Sequence, residues 1–209
     1  EATPGNNLRL TLDLDLQAVA GLALEGKRGA VVALDPRTGE VLSMVSRPAF
    51  DPNVFARGIR KSEWRALLQD RKHPLNSKAV QGTYPPGSTF KVVMAAAALE
   101  EGVINPFTQL FCGGGMFFGN RTFRCWRPSG HGSMNVHEAL TRSCDVFFYQ
   151  VGQRLGIDAI ADYAHRFGLG APTGITLDHE SGGIIPSSEW KRQRFGEPWY
   201  AGETLSVAI

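Results

Sequence analysis

Apolar and polar positions change period several times along the first 82 residues. Leu8-Arg-Leu-Thr-Leu alternates, as a half-buried strand does. Beyond Asp13 and Asp15, either of which can cap a helix, Leu16, Val19, Ala20 and Leu24 recur on one helical face, and Gly26 and Gly29 end it. Residues 29–35 and 40–46 are two short apolar runs around Pro36-Arg-Thr-Gly39, which predicts a hairpin. Both runs are mostly apolar, so both faces are expected to be covered. Residues 47–82 are looser, with prolines at 48, 52 and 74 and one short helix expected around 62–68.

The next stretch, Gly82-Thr-Tyr-Pro-Pro-Gly-Ser-Thr-Phe-Lys91, organises the remainder. Its prolines and Gly87 enforce an extended turn, and Ser88 then opens a helix over 89–99 that Gly102 closes. Residues 105–133 are rich in glycine and aromatics and have little periodicity; so long a stretch is functional or pinned. Asn135 caps a helix over 136–141, and Ser143-Cys-Asp145 interrupts the pattern. Helices over 146–155 and 157–167 are stopped by Gly156 and Gly168. Residues 172–209 read as loop-rich.

Composition narrows the classes. A chain of 209 residues fits one domain, with residues 1–7 as a linker and 8–209 as the domain. A net charge of +2, with no basic block, gives no case for nucleic acid. No apolar run approaches the ~18 residues of a membrane span, and no signal peptide is present. The linker-like start reads as a piece of a longer, membrane-anchored protein.

Ser88 and Lys91 carry the first chemistry. Ser88 sits at a helix N-terminus, where free N–H groups and the helix dipole favour a developing oxyanion. Lys91 is one turn further on the same face. A desolvated lysine accepts the hydroxyl proton and makes the serine a nucleophile. Alone, Ser-x-x-Lys is more often a cap than a catalyst. Here the Tyr-Pro-Pro-Gly lead-in, the apolar helix and the motif at Ser143 agree with it.

Tyr84-Pro-Pro-Gly-Ser-Thr-Phe-Lys91 resembles the penicillin-binding proteins, the peptidoglycan transpeptidases, whose Ser-x-x-Lys motif is well known. The surrounding text is closest to the elongation-type class B group, penicillin-binding protein 2, from about Leu8 onward. The resemblance implies an α/β fold of the penicillin-binding protein and serine β-lactamase type, a sheet covered by helices, incomplete in this chain. It implies a D,D-transpeptidase that forms 4-3 crosslinks through a serine acyl-enzyme and is inhibited by β-lactams. Catalytic roles then fall to Ser88, Lys91, Ser143 and Asp145. Ser143 relays a proton; Asp145 stands where relatives have Asn, accepts without donating, and would hold Lys91 charged by pairing with it. The third motif, Lys-Thr/Ser-Gly, is absent: Lys191 is followed by Arg192. The chain alone is therefore expected to be inactive. By the same resemblance the parent lies in the inner membrane with its catalytic domain in the periplasm. Its partners are the D-Ala-D-Ala stem peptide, β-lactams and a membrane glycosyltransferase. The alternatives are a serine β-lactamase, against which Asp145 argues, and a non-catalytic β-lactam receptor.

Three cysteines remain. Either Cys112 and Cys125 form a disulfide with Cys144 buried and spare, or all three join His131. Three thiolates and an imidazole make a normal tetrahedral zinc set, though the spacing lacks a Cys-x-x-Cys knuckle. Some members of the penicillin-binding protein 2 group carry a metal between the first two motifs, so the resemblance favours a structural zinc on Cys112, Cys125, His131 and Cys144.

Overall fold

The computed structural model describes residue 3 and residues 5–209; of the linker expected over 1–7, Glu1, Ala2 and Pro4 lie outside the described residues. The chain divides into two compact units. One comprises residues up to Thr83 together with Ile175–Ser181, the other Tyr84–Gly174 and Gly182–Ile209.

In the first unit, Asp13 caps α1 (Leu14–Ala23) by accepting from the Leu16 N–H. β1 (Gly29–Leu34) and β2 (Val41–Arg47) form the expected antiparallel hairpin, with Gly39 in the left-handed region that the turn requires. Gln17 fastens α1 to β2. Its side-chain amide donates to the Met44 carbonyl and accepts from the Met44 N–H, and Ser43 Oγ donates to its carbonyl oxygen. Two short helices follow, α2 (Asn53–Ala56), which no periodicity marked, and α3 (Lys61–Gln69), the helix expected around 62–68.

Two expectations fail in this unit. Residues 8–12 form no strand: Thr11 Oγ1 and the Asp13 N–H reach β2 carbonyls, but no ladder forms and the leucines are exposed. Alternation specifies a strand only where a partner edge supplies hydrogen bonds. Nor are both hairpin faces covered, for Val32 and Leu34 of β1 are exposed among the described residues.

The second unit is built on α4 (Lys91–Glu100), entered through a 3₁₀ turn at Gly87–Phe90. Met94, Ala97 and Ala98 of α4 are fully buried, and the small alanines let neighbouring helices approach closely. Residues 105–133 are more regular than their sequence suggested. They hold β3 (Leu110–Cys112), β4 (Gly115–Phe118), β5 (Arg121–Arg124) and, reaching one residue further, β6 (Gly132–Met134). β3 pairs with β6 and β4 with β5, both antiparallel. Strands of three or four residues are too short to display a period.

α5 (Val136–Thr141), α6 (Asp145–Leu155) and α7 (Ile157–Arg166) follow nearly as expected. α4 packs on all three. Asn135 and Glu138 form a reciprocal capping box at the start of α5. The stretch 172–209 is not simply loop: it contains α8 (Ser188–Phe195), capped by Ser187, and α9 (Ala201–Val207). α9 crosses α6 at Gly152, where a β-carbon would lie 2.8 Å from that of Ala208. No helix of the described residues is long and apolar enough to cross a membrane.

Replacing Asn135 by Ala removes the cap of α5. Chemical denaturation should show the second unit destabilised by about 1 kcal/mol.

Candidate active site and metal-ligand cluster

Helix ends place the reactive groups. Ser88 lies in the exposed 3₁₀ turn that leads into α4. It makes no capping hydrogen bond; Thr89 Oγ1 instead donates to the Pro86 carbonyl. The turn is closed by its neighbour, and the alternative of Ser88 as a cap finds no hydrogen bond to support it.

Lys91, three residues on, is inside the protein, its side chain only 2% exposed. Its Nζ donates to the Ser143 carbonyl at 3.0 Å, to Ser143 Oγ at 3.1 Å and to Asp145 Oδ1 at 2.6 Å. An ammonium has three N–H donors, and all three are engaged by the second motif. The ion pair with Asp145 expected from sequence is present, and it is short and largely shielded from water.

Ser143 owes its position to how α5 ends. The Cys144 N–H donates to the Ala139 carbonyl and the Ser143 N–H to the Leu140 carbonyl, the paired bonds of a Schellman motif. Ser143 occupies the left-handed position of that motif, φ 49°, where glycine is usual. Cys144 then caps α6, with Sγ accepting from the Phe147 N–H. Asp145 opens α6, where a carboxylate suits the helix dipole. Its second oxygen accepts from the backbone N–H of Trp126 at 2.9 Å. Nothing in the sequence pattern marked Trp126; its only signal was adjacency to Cys125.

Cys112, Cys125, His131 and Cys144 converge as well. Their ligand atoms all lie within 4.8 Å of one another, and all three cysteines are free thiols. His131 Nδ1 is 3.7 Å from Cys112 Sγ and 3.5 Å from Cys125 Sγ. Ligands at zinc–sulfur and zinc–nitrogen bond lengths in a tetrahedron stand about 3.5 Å apart, so the set fits such an ion.

The loop is folded tightly around the cluster. Gly130, at φ 74°, comes so close to the Cys112 carbonyl that a β-carbon would sit 2.3 Å from its oxygen. Burial pushes the Cys125 thiol up, but backbone N–H groups of Arg127, Val146 and Asp145 and the Cys112 side chain outweigh it and leave the thiol below its ordinary value. Burial also lowers His131, favouring the neutral, ligating imidazole. Cys144 differs: burial raises it to about 12, so a metal would have to displace its proton.

Two motifs on two helix starts are thus joined through one buried lysine. Residues 29–209 match the family model for the penicillin-binding protein transpeptidase domain, and the chain belongs to that family. It is 44% identical to the peptidoglycan D,D-transpeptidase MrdA of Haemophilus influenzae over 210 residues, all of this chain and 32% of that protein. It is similar to penicillin-binding protein 2 of Pseudomonas aeruginosa, solved in complex with WCK 5153: TM-score 0.94, 40% identity, covering 99% of this chain and 46% of that one. The penicillin G acyl-enzyme complex of penicillin-binding protein A from M. tuberculosis matches with a TM-score of 0.78 at 27% identity, covering 95% of this chain and 46% of that one. The chain thus spans about a third of the length of the curated relative it matches. The expected fold, mixed α/β of the penicillin-binding type, is the one found.

Removing Asp145 strands a buried ammonium. Asp145→Ala should cost about 3–5 kcal/mol in urea denaturation, and Asp145→Asn, which keeps an acceptor beside Lys91, distinctly less.

Proposed function

We propose that the protein carrying this chain is a peptidoglycan D,D-transpeptidase of the elongation type that works through an acyl-enzyme on Ser88. The observation that carries the reading is the lysine: Lys91 Nζ, one turn from Ser88, held by both Ser143 and Asp145. Family membership and the likeness to an acyl-enzyme complex support it.

The reaction follows from the donors. Lys91 as an ammonium uses all three N–H groups and has no lone pair for the Ser88 proton. As a neutral amine it keeps two donors, for Asp145 and the Ser143 carbonyl, and frees its lone pair. Ser88 Oγ then attacks the carbonyl between the two D-alanines while its proton passes to Lys91. The proton returns through Ser143 Oγ to the departing D-Ala amine, leaving the acyl group on Ser88 as an ester. An amine from a neighbouring stem peptide attacks that ester and regenerates Ser88, forming a 4-3 crosslink. A β-lactam presents a strained amide to the same serine, and its opened ring stays attached as an acyl adduct. Water in place of the stem amine gives the carboxypeptidase activity.

Asp145 orients Lys91 through the hydrogen bond to Oδ1.

Cys112, Cys125, His131 and Cys144 are proposed to hold one structural zinc. All four positions would be filled by protein, so the ion would supply no open site for substrate. It would clip the glycine-rich loop to the start of α6, since Cys144 is the middle residue of the second motif. The proposal extends to location: an inner-membrane anchor outside this chain, a catalytic domain in the periplasm, and a membrane glycosyltransferase as partner.

Labelled penicillin should modify Ser88 in the protein with its complete transpeptidase domain, as mapped by peptide mass spectrometry. Ser88→Ala should abolish labelling with little loss of stability, because this hydroxyl caps nothing in the fold. Label on another serine refutes the assignment. Elemental analysis should find about one zinc per chain, and chelation should lower the melting temperature. A Cys112–Cys125 disulfide in the metal-replete protein would exclude the zinc set.

A further inference from the structure

We infer that Trp126 is a positioning residue for acylation, acting through its indole N–H on the backbone of the second motif; this rests on the transpeptidase reading. Trp126 is 62% exposed, so burial is not what holds it. Hydrogen bonds are. Its Nε1–H lies 3.1 Å from both the Arg142 carbonyl and the Ser143 carbonyl. The Ser143 carbonyl is the same oxygen that accepts from Lys91 Nζ. Lysine and indole therefore meet on one acceptor, which has two lone pairs and uses both.

The rest of the residue is tied to the same place. Its backbone N–H binds the Asp145 oxygen that Lys91 does not use. Its ring stands edge-on to His131, centroids 5.2 Å apart. One residue thus joins the imidazole of the cysteine–histidine cluster to two of the three acceptors of Lys91: the Ser143 carbonyl through its indole and Asp145 through its backbone N–H.

A plainer role is available, since the indole reaches the last carbonyls of α5 and could serve only as a cap for that helix. The bond to Ser143 makes the difference. Ser143 is in the left-handed region, a conformation a non-glycine residue keeps only when its surroundings fix it. The Schellman bonds hold the Ser143 and Cys144 N–H groups; the indole and Lys91 hold the Ser143 carbonyl. Without the indole, the carbonyl end of the peptide after Ser143 keeps Lys91 as its one donor, the group that must change its protonation state during the reaction, while its other end stays bound through the Cys144 N–H to Ala139. Rotation of that peptide carries Ser143 Oγ and Asp145 away from the lysine.

The test replaces Trp126 by Phe, which keeps a ring beside His131 and deletes the donor. A second variant carries 3-benzothienylalanine, which keeps the shape of the indole and replaces N–H by sulfur. Both are made in the protein with its complete transpeptidase domain and assayed with a chromogenic or fluorescent β-lactam. Expected is a fall of about tenfold in the acylation rate constant for both variants. The dissociation constant of the non-covalent complex, the zinc content and the melting temperature should stay at the parent's values. Unchanged acylation in either variant overturns the inference. So does a loss that tracks melting temperature or metal content, which would make Trp126 a cap and no more. Failure of the unsubstituted protein to acylate at Ser88 would instead sink the transpeptidase reading, a separate outcome.

Discussion

A lysine ammonium buried at the start of a helix is tolerable only if its charge and all its donors are met. Lys91 imposes that condition on the second unit. Its three acceptors come from residues more than fifty positions downstream, at the junction of α5 and α6. To deliver them, α5 must stop after six residues, the chain must reverse through a left-handed serine, and α6 must begin with a carboxylate. The capping box at Asn135, the Schellman bonds and Cys144 as cap each serve that delivery. The glycine-rich loop enters through the same demand, because Asp145 has a second oxygen and Trp126 supplies its donor.

What could be read from the sequence follows how local the causes are. The hairpin over β1 and β2, α3 and the helices from α4 to α7 have caps, glycine stops and periods of their own, and their sequence expectations hold to within a residue or two. The strand expected at residues 8–12 failed because a strand is a property of two segments. The short strands between Phe107 and Asn135 were hidden because three residues cannot show a period of two, and α8 and α9 because both are short and α9 starts at Tyr200 without a side-chain cap of its own, Glu203 accepting from the Tyr200 N–H instead.

The residues proposed to react were legible for a different reason. Ser88, Lys91, Ser143 and Asp145 stand in motifs whose spacing is set by helix turns and helix starts, so chemistry and local structure left the same mark. The cysteines and His131 could be grouped by kind but not by geometry, since their spacing matched no compact knuckle; only folding brings β3, β5 and the start of α6 together. Trp126 was marked only by its adjacency to Cys125. Its contribution depends on a carbonyl direction, and carbonyl directions are not written in residue types.

Ser143 has one more consequence. The chain end of α5 calls for glycine at that position, because a side chain there crowds the backbone. The proposed reaction calls for a hydroxyl, which glycine lacks. The two demands fall on one residue and cannot both be satisfied, and the hydroxyl is what the protein keeps. Substitutions that would make this junction more comfortable are the ones that would silence it, so the usual route of improving a fold by relaxing its tightest turn is closed here. Robustness has to be built in around the junction, in the helices and the cysteine-rich loop that press against it.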